Sequence, residues 1–146
     1  MNVKNDRAAW LKGGDALCSI IPPLLPGKKT WRLVLLGAPG VGKGTQAQLL
    51  SQRLGACHLS TGDVFRAAKS LPREALSPAM QTAIASMSRC ELVQDETVLA
   101  MVRERSRCLR CRGGFLLDGF PRTVVQAEAL ENLLKWERRA LTAVSQ

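Results

Sequence analysis

A glycine-rich run with a single lysine is the most chemically suggestive feature of the sequence. Residues 37–45 read GAPGVGKGT, and they follow the short apolar run Leu33–Leu36 and precede a helical pattern. Glycines let a backbone turn tightly and direct successive N–H groups inward, where they attract phosphate together with a helix N-terminus. Lys43 can reach terminal phosphate oxygens, and Thr45 can face a magnesium ion directly or through water. The run therefore predicts a phosphate-binding loop.

The loop departs from the generic phosphate-binding pattern at one position. That pattern has Ser or Thr directly after the lysine, whereas here Gly44 separates Lys43 from Thr45. The alternative interpretation is a glycine-rich connection that binds no ligand. The order of strand, loop, lysine and helix favours the phosphate site.

Two further polar clusters follow later apolar segments. Residues 60–63, Ser-Thr-Gly-Asp, come with Arg66 after Cys57–Leu59, and residues 118–122, Asp-Gly-Phe-Pro-Arg, follow Phe115–Leu117. An acidic residue that ends a buried strand beside a phosphate loop suits magnesium held through water. An arginine can hold a phosphate with two parallel N–H donors. The alternatives are helix caps, a turn-forming Asp-Gly pair and solvent-exposed charges.

Short apolar runs and helical periodicity alternate along the chain. Buried strands are predicted at Leu33–Leu36, Cys57–Leu59 and Phe115–Leu117. Helices are predicted from Thr45 to Leu54, from Thr61, from Pro78 through the stripe Met80, Ala83, Ile84 and Met87, from Asp95, and from Thr123 towards Trp136. This order is typical of a parallel α/β sheet with helices on both faces. Because ligands of such sheets bind at the carboxyl ends of the strands, we expect the polar clusters to meet there.

Capping residues mark the beginnings of two of these helices. Thr61 and Asp63 are predicted to accept from free N–H groups at the start of one helix, and Thr123 with Gln126 is typical of a capping box. The apolar face of the helix after Thr123 is predicted to consist of Ala127, Leu130 and Leu134. His58, in the second strand, is predicted to be a structural histidine.

Composition limits the classes of protein that the chain can be. Its 146 residues carry a formal charge of +9 and are 46% apolar, which suits one globular domain and argues against general disorder. No apolar run approaches the ~20 residues of a membrane-spanning helix, and the odd count of 5 cysteines argues against a secreted disulfide scaffold and favours a reducing compartment. The charge fits a solvated basic surface or an anionic partner. A nucleic-acid binder has little support, because the chain has no Tyr and only 3 Phe and 3 Trp for stacking.

Residues 1–30 differ from the remainder and are predicted to be an N-terminal extension. Their apolar stretch Ala16–Leu25 is interrupted by Pro22 and Pro23. A basic start before an apolar run also suggests a targeting signal, but Asp15 interrupts the approach and no small-x-small cleavage site precedes the folded part. An unstructured leader is the favoured interpretation.

Four motifs together closely resemble the adenylate kinases. In order, they are GAPGVGKGT at 37–45, LSTGDVFR at 59–66, LVQDE at 92–96 and GFLLDGFPRTVVQ at 114–126. The glycine between lysine and threonine is that family's own variant of the loop. The resemblance implies an α/β fold, with a P-loop NTPase-like parallel sheet flanked by helices. It also implies reversible, magnesium-dependent transfer of a phosphoryl group from ATP to AMP, giving two ADP.

The resemblance also implies domain boundaries and site residues. Residues 31–146 would be a partial kinase core, with 61–93 as a mobile cover over AMP, and Pro121 is expected to be cis. The implied catalytic residues are Lys43, Asp118 and Arg122. The implied ATP-binding residues are Gly40, Val41, Gly42, Lys43, Gly44 and Thr45. The implied AMP-binding residues are Thr61, Arg66, Val93, Gly119, Arg122 and Gln126.

The resemblance assigns roles within these sets. Arg66 and Arg122 would hold the AMP phosphate, and Gln126 would read the adenine edge. Thr45 and Asp118 would hold Mg²⁺ through bound water. Thr61, rather than the Ala typical of UMP/CMP kinases, favours AMP, although a UMP/CMP-type kinase remains an alternative.

In the family, a further strand, an arginine-bearing lid that closes on ATP, and a final strand and helix follow the position of Gln146. Residues 143–146 are expected to begin that strand. We therefore expect a sheet that is incomplete at its C-terminal end. Since such arginines contribute ~10³–10⁵ in rate, we also expect weak or no turnover. A complete enzyme is expected to be a monomer, and association through exposed apolar sheet is the alternative here. A non-catalytic nucleotide-binding module is the second functional hypothesis.

The expected partners are ATP, AMP and ADP, with no nucleic acid and no membrane. A cytoplasmic location is expected, with organelle targeting by residues 1–30 as an alternative. Cys108 and Cys111 are predicted to be two thiols at a helix end, because a zinc site needs about four ligands and no second close pair exists. No zinc is therefore expected.

Overall fold

Strands and helices alternate as the hydrophobic pattern predicts. The computed structural model describes residues 29–104, 114–136 and 143–145. The strands are β1 (Trp31–Leu35), β2 (Cys57–Ser60), β3 (Gly114–Asp118) and β4 (Ala143–Ser145). The helices are α1 (Lys43–Leu54), α2 (Thr61–Ala68), α3 (Pro78–Ser88), α4 (Asp95–Glu104) and α5 (Val124–Trp136), with a short 3₁₀ turn at Arg73–Ala75.

The four strands form one sheet in the order β2-β3-β1-β4, and every neighbouring pair is parallel. The predicted parallel α/β architecture is thus confirmed, and so is a strand at 143–145, which pairs with β1. Asp118 lies opposite both Leu35 of β1 and Ser60 of β2. The carboxyl ends of these three strands therefore meet at one edge, as expected.

Alternating side chains of β3 serve two hydrophobic clusters. Leu116 packs with Leu35 and with Ala47 of α1 on one face. Phe115 and Leu117 belong to the larger cluster on the other face. That cluster draws on α2, α3, α4 and α5 through Val64, Met80, Ala83, Met101, Val102, Leu130 and Leu134. Since successive strand residues point to opposite faces, helices cover both faces of the sheet, as predicted.

The capping residue of α2 differs from the prediction. Ser60, not Thr61 or Asp63, caps the helix, and its hydroxyl accepts from the Asp63 N–H at 3.2 Å. Thr61 is already the first residue of α2 and is buried. A side chain at this first helical position projects towards the sheet edge instead of back onto the N–H groups. At α3, Pro78 is the first helical residue, as predicted, and Ser77 caps the helix by accepting from the Met80 N–H at 3.3 Å.

At α5 the predicted cap is confirmed, but the predicted apolar face is partly wrong. The Thr123 hydroxyl accepts from the Gln126 N–H at 3.2 Å. Leu130 and Leu134 are buried, whereas Ala127 is exposed. Gln126 takes the buried position one turn before Leu130. The apolar pattern of the sequence therefore did not indicate that Gln126 lies on the inner face of α5.

Gly114 fixes the pairing of the two central strands. It lies opposite Trp31 at the start of β3, and a Cβ built there would lie on the Trp31 carbonyl group. Only a residue without a side chain permits this approach. The glycine therefore sets which residues of β1 and β3 face each other.

Of the expectations about the cysteines and the N-terminal residues, only those on Cys57 and Cys90 fall on residues that the structure describes. Cys57, buried in β2, is disulfide-bonded, which the expectation of a reducing compartment did not include. Cys108, Cys111 and residues 1–28 of the predicted extension lie outside the described residues. Within the described ranges, no helix combines the length and apolarity needed to cross a membrane.

Candidate functional site

The predicted phosphate-binding loop joins β1 to α1. Gly40 and Gly42 have positive φ angles of 81° and 87°, which turn the chain back towards the helix. The Gly42 carbonyl accepts from the N–H groups of Thr45 and Gln46, each at 3.1 Å, and so begins α1. The loop thus presents its backbone and the N-terminal end of α1, where anions are stabilised.

Lys43 is the first residue of α1 and lies over this loop. Its Nζ donates to the Ala38 carbonyl at 2.5 Å. The amine is therefore placed next to the N–H groups that a phosphate would contact. Contact of this amine with phosphate stays a prediction.

A cleft of about 590 Å³ opens between the loop and the ends of β2 and β3. Its volume lies in the ~300–1,000 Å³ range of small-molecule sites. Among the residues expected to bind ATP, those that line it are Gly40, Gly42, Lys43, Gly44 and Thr45. Val41 does not line the cleft, and its side chain is 63% exposed at the loop tip. We call this space the phosphate-loop cleft.

Asp118 ends β3 on the floor of the phosphate-loop cleft. The Nε2 atom of buried His58 lies 3.6 Å from its Oδ2, which is too long for a strong hydrogen bond. The pKa of Asp118 lies below its ordinary value, chiefly because of the neighbouring His58 ring. Burial raises that pKa in opposition, and the positive charges of Lys43 and Arg122 lower it further. The carboxylate is thus kept ionised at neutral pH.

His58 has no hydrogen-bond partner for either ring nitrogen within the described part of the chain. It is 3% exposed and faces Asp118 from the neighbouring strand. The prediction of a structural histidine missed this contact with a site residue. Parallel pairing of β2 with β3 brings the two side chains together, and no local pattern in the sequence indicates it.

Thr45 and Asp118 fit the predicted magnesium site. Both line the phosphate-loop cleft, and they offer a hydroxyl and a carboxylate oxygen, the hard donors that Mg²⁺ prefers. The lowered pKa of Asp118 preserves the negative charge that such a site needs. These residues are therefore able to hold Mg²⁺ directly or through water.

The two predicted phosphate-binding arginines are placed differently. Arg66 lines only the phosphate-loop cleft, where it forms an ion pair with Asp63 on the same helix. Arg122 lines both this cleft and a second pocket, and its Nε donates to the Gly119 carbonyl at 2.8 Å. The Phe120–Pro121 peptide bond is cis, as the resemblance implies. Arg122 therefore stands at the junction of two spaces.

The second pocket, of about 580 Å³, lies between α2, the α3–α4 connection and the start of α5. We call it the monophosphate pocket. Five of the six residues expected to bind AMP line it, namely Thr61, Val93, Gly119, Arg122 and Gln126. The sixth, Arg66, does not line this pocket. Phe65, Met87 and Val98 supply apolar walls, so Met87 of the predicted core stripe also faces the pocket.

Gly119 holds two sides of the monophosphate pocket together. Its carbonyl accepts from the Thr61 hydroxyl at 3.0 Å and from Arg122. Its φ is +83°, and an added Cβ would lie 2.5 Å from Thr61 Oγ1. Both the backbone conformation and the close approach require glycine here.

Comparison with known proteins identifies the family of the chain. A protein-family model described as Adenylate kinase matches residues 35–146. The chain belongs to the adenylate kinase family. It is 53% identical over 103 residues to an adenylate kinase of Thermodesulfovibrio yellowstonii, covering 70% of this chain and 46% of that relative. An adenylate kinase of a Geobacillus species is 51% identical over 112 residues, covering 77% of this chain and 50% of the relative.

A third relative extends the same result. An adenylate kinase of Bacillus licheniformis is 52% identical over 103 residues, which cover 70% of this chain and 46% of the relative. The chain thus spans about half the length of the adenylate kinases that it matches.

In this member of the adenylate kinase family, a polar network lies at the edge of the monophosphate pocket. Sequence reasoning missed this network. Asp95, at the start of α4, accepts from Gln126 Nε2 at 2.7 Å and from Thr123 Oγ1 at 3.0 Å. The motif LVQDE contains Asp95, but the sequence indicates only that a helix begins at this residue. The contact spans 31 residues of sequence, so no short-range pattern could indicate it.

Proposed function

We propose that this chain binds the phosphates of ATP and AMP in its two adjoining spaces, for magnesium-dependent transfer of a phosphoryl group that yields two ADP. The observation that carries the proposal is that Gly119 and Arg122 line both the phosphate-loop cleft and the monophosphate pocket. A donor phosphate at Lys43 and an acceptor phosphate at Arg122 would therefore be neighbours. Family membership supports the assignment of the two nucleotides.

In the proposed reaction, a phosphate oxygen of AMP attacks the terminal phosphorus of ATP. The bond from that phosphorus to the oxygen of the leaving ADP breaks as the new bond forms, so the two products are both ADP. Phosphoryl transfer depends on positioning and charge neutralisation more than on a covalent nucleophile. Lys43, Arg122 and the loop N–H groups supply that positive field.

Mg²⁺, held by Thr45 and Asp118, would neutralise charge on the transferring phosphates. Arg66 lies on the phosphate-loop side and would contact the acceptor phosphate only where that phosphate enters the cleft. Gln126 and Thr61 lie on the opposite side, where the base of the acceptor nucleotide would sit. In a kinase that acts on AMP, each predicted site residue that lines one of the two spaces would have a role in binding or transfer.

The remaining parts of the proposal concern the setting of the reaction. We propose a cytoplasmic protein that is a monomer when the enzyme is complete, with association of this chain as the alternative, and that uses no zinc and binds no nucleic acid. Cell fractionation and light scattering test the first two statements. Metal analysis of the purified chain tests the third. Steeply salt-dependent binding to oligonucleotides, unaffected by ATP, would contradict the fourth.

Calorimetric titration of ATP with Mg²⁺, and separately of AMP, into the chain tests the proposal. Lys43→Ala removes the amine from the phosphate-loop cleft alone, so ATP affinity is expected to fall about 10–100-fold, because hydrogen bonds to charged groups contribute ~1.5–3 kcal/mol. AMP affinity is expected to stay unchanged. Lys69→Ala is the matched control, since Lys69 is exposed at the end of α2 and lines neither space.

Equal ATP affinity in the unsubstituted chain and Lys43→Ala contradicts the proposed ATP site. ADP formation from ATP and AMP, measured by a coupled assay, then separates two functions. Turnover supports the kinase, whereas binding of both nucleotides without turnover supports a nucleotide-binding module.

A further inference from the structure

The side-chain amide of Gln126 is held in one orientation by two hydrogen bonds. Its Oε1 accepts from the Arg122 backbone N–H at 2.8 Å, and its Nε2 donates to Asp95 Oδ1 at 2.7 Å. Gln126 is 5% exposed, so water cannot readily replace either contact. Rotating the amide by half a turn would set its NH₂ group against an N–H donor and its oxygen against a carboxylate. Both contacts would then be repulsive, and a buried unsatisfied group is costly.

Asp95 is itself fixed from a second direction. Its other carboxylate oxygen, Oδ2, accepts from the Thr123 hydroxyl at 3.0 Å. Asp95 is also the first residue of α4, where a negative charge is stabilised by the helix dipole. Each oxygen of the carboxylate thus has a defined partner at the start of α5. The acceptor that Gln126 meets therefore has little freedom to move.

The Gln126 amide has a donor and an acceptor that its contacts within the described residues do not use. A side-chain amide has two N–H donors and an oxygen with two lone pairs. The contacts within the described residues use one donor and one lone pair, which leaves one of each. Because Gln126 lines the monophosphate pocket, the remaining donor and acceptor suit a planar ligand edge that offers an adjacent acceptor and donor. The hydrogen-bonding edge of a purine base offers this pair.

The order of donor and acceptor on that edge distinguishes two classes of purine. A 6-amino purine has a donor at its exocyclic group and an acceptor at the neighbouring ring nitrogen. A 6-oxo purine has the reverse order. An amide that could rotate would accommodate both classes, whereas an amide in one orientation accommodates one of them at a given position of the base.

We propose that Asp95 is a specificity-determining positioning residue, which fixes the Gln126 amide and thereby makes the monophosphate pocket prefer 6-amino over 6-oxo purine monophosphates. The inference rests on the proposed function, because it takes the pocket to be the AMP site. Asp95 also lines the pocket. The role assigned to it here is to hold the Gln126 amide through the contact of Oδ1 with Nε2.

The test compares binding of AMP and inosine monophosphate, which carries an oxygen where AMP carries the amino group. The unsubstituted chain is expected to prefer AMP by about 10–100-fold, the discrimination of a well-placed bidentate contact. Asp95→Ala removes the acceptor of Gln126 Nε2, so only the Arg122 N–H still opposes rotation of the amide. The preference for AMP is therefore expected to fall about three- to tenfold. Calorimetry with each nucleotide measures the ratio of the two affinities.

Two further variants separate positioning from charge. Asp95→Asn keeps an oxygen for Gln126 Nε2, and the Thr123 hydroxyl is able to accept from the new NH₂ group. We expect this variant to retain the preference for AMP. Glu96→Ala, the matched control, removes a carboxylate from the next residue of α4, which is exposed. It is expected to leave the ratio unchanged.

The outcomes distinguish this inference from the proposed function. A folded Asp95→Ala that keeps the full preference for AMP, or that weakens both nucleotides equally, overturns the positioning role and leaves the AMP site in place. If the unsubstituted chain binds neither monophosphate, the proposed AMP site is wrong and the inference is wrong with it.

A second measurement needs neither a ligand nor a folded variant. Side-chain NH₂ exchange with solvent, measured by NMR on the unsubstituted chain, is expected to be slower for Gln126 than for Gln52, which is exposed on α1. The two hydrogen bonds and the burial of Gln126 are the reason. Equal exchange at the two amides would overturn the fixed orientation.

Discussion

The phosphate-binding loop and the monophosphate pocket are built in opposite ways. The loop consists of consecutive residues, with Gly40, Gly42 and Lys43 in a single turn between β1 and α1, although the cleft that it lines is completed by the ends of β2 and β3 and by α2. The pocket draws Thr61, Val93 and Gln126 from three separate segments. In the loop the backbone supplies much of the binding capacity, whereas in the pocket side chains orient one another. A site of the first kind is local, and a site of the second kind depends on the whole fold.

This difference predicts where each space is vulnerable. A local site tolerates changes elsewhere in the fold as long as its own turn is kept. An assembled site loses its geometry when any one of its segments shifts, and a misplacement of about 1 Å can cost ~10² in activity. Three substitutions challenge or refine this contrast, beginning with the one of largest expected effect.

Gly119→Ala is expected to have the largest effect, because it forces apart two segments of the assembled pocket. The substitution adds the strain of a left-handed conformation and a Cβ 2.5 Å from Thr61 Oγ1. Together these are expected to lower the free energy of unfolding by about 3 kcal/mol. AMP affinity is expected to fall more than ATP affinity. Urea denaturation and calorimetry measure the two effects.

Gly44→Ala is the control for stability. Gly44 lies within α1, and an added Cβ has nothing within 4 Å. Alanine in a helix is more favourable than glycine by roughly 0.5–1 kcal/mol, so stability is expected to rise. If Gly119→Ala weakened ATP and AMP equally, the contrast between the local and assembled sites would be wrong.

Asp118, which lines the phosphate-loop cleft, gives this region a pH dependence. Because its pKa in the folded protein is lowered, the ionised carboxylate contributes stability at pH values above its ordinary pKa of about 4, and that contribution is lost as pH falls through the folded value. The stability advantage of the unsubstituted chain over Asp118→Asn is therefore expected to shrink as the pH falls below about 5. Denaturant unfolding at a series of pH values measures it.

Glu96→Gln is the charge control for this measurement, since Glu96 is exposed on α4. Its stability relative to the unsubstituted chain is expected to vary less over the same pH range. A constant difference between Asp118→Asn and the unsubstituted chain from neutral to acid pH would show that the His58 contact does not favour the ionised form.

Cys90→Gly is expected to have the smallest effect. Cys90 is exposed at the end of α3 and has a φ of 57°, in the left-handed region. Glycine at this position is expected to raise the free energy of unfolding by up to about 1 kcal/mol. Thermal denaturation measures the change, and Cys90→Ser, which keeps a side chain of similar size, should show no gain. ATP affinity should be unaffected, since Cys90 lines neither the phosphate-loop cleft nor the monophosphate pocket.

The same contrast explains what the sequence could predict. The order of strands and helices was predicted correctly, and a glycine-rich turn joins β1 to α1 as the sequence indicates, because each of these features depends on neighbouring residues. The predicted gathering of the polar clusters at one sheet edge also held, because parallel pairing follows from that order. Val41 was included with its neighbours on the loop, but its side chain turns to solvent.

The errors concern contacts between distant segments. Thr61 is a residue type that commonly caps helices, yet Ser60 caps α2. The Thr61 hydroxyl instead donates to the Gly119 carbonyl, which belongs to a distant segment. Gln126 occupies a buried position expected for Ala127, because Asp95 and Arg122 satisfy its amide. Such pairings are decided by three-dimensional packing, and periodicity along a helix carries no information about them.

The glycine at the start of β3 has an effect at the opposite end of that strand. With Gly114 pressed against the Trp31 carbonyl, sliding β3 by one residue would bring the Phe115 side chain into that contact. A strand advances about 3.3 Å per residue, so the four steps to Asp118 work as a rigid spacer of roughly 13 Å. The position of the carboxylate that faces His58 therefore depends on Gly114, a residue at the opposite end of β3 that carries no functional group.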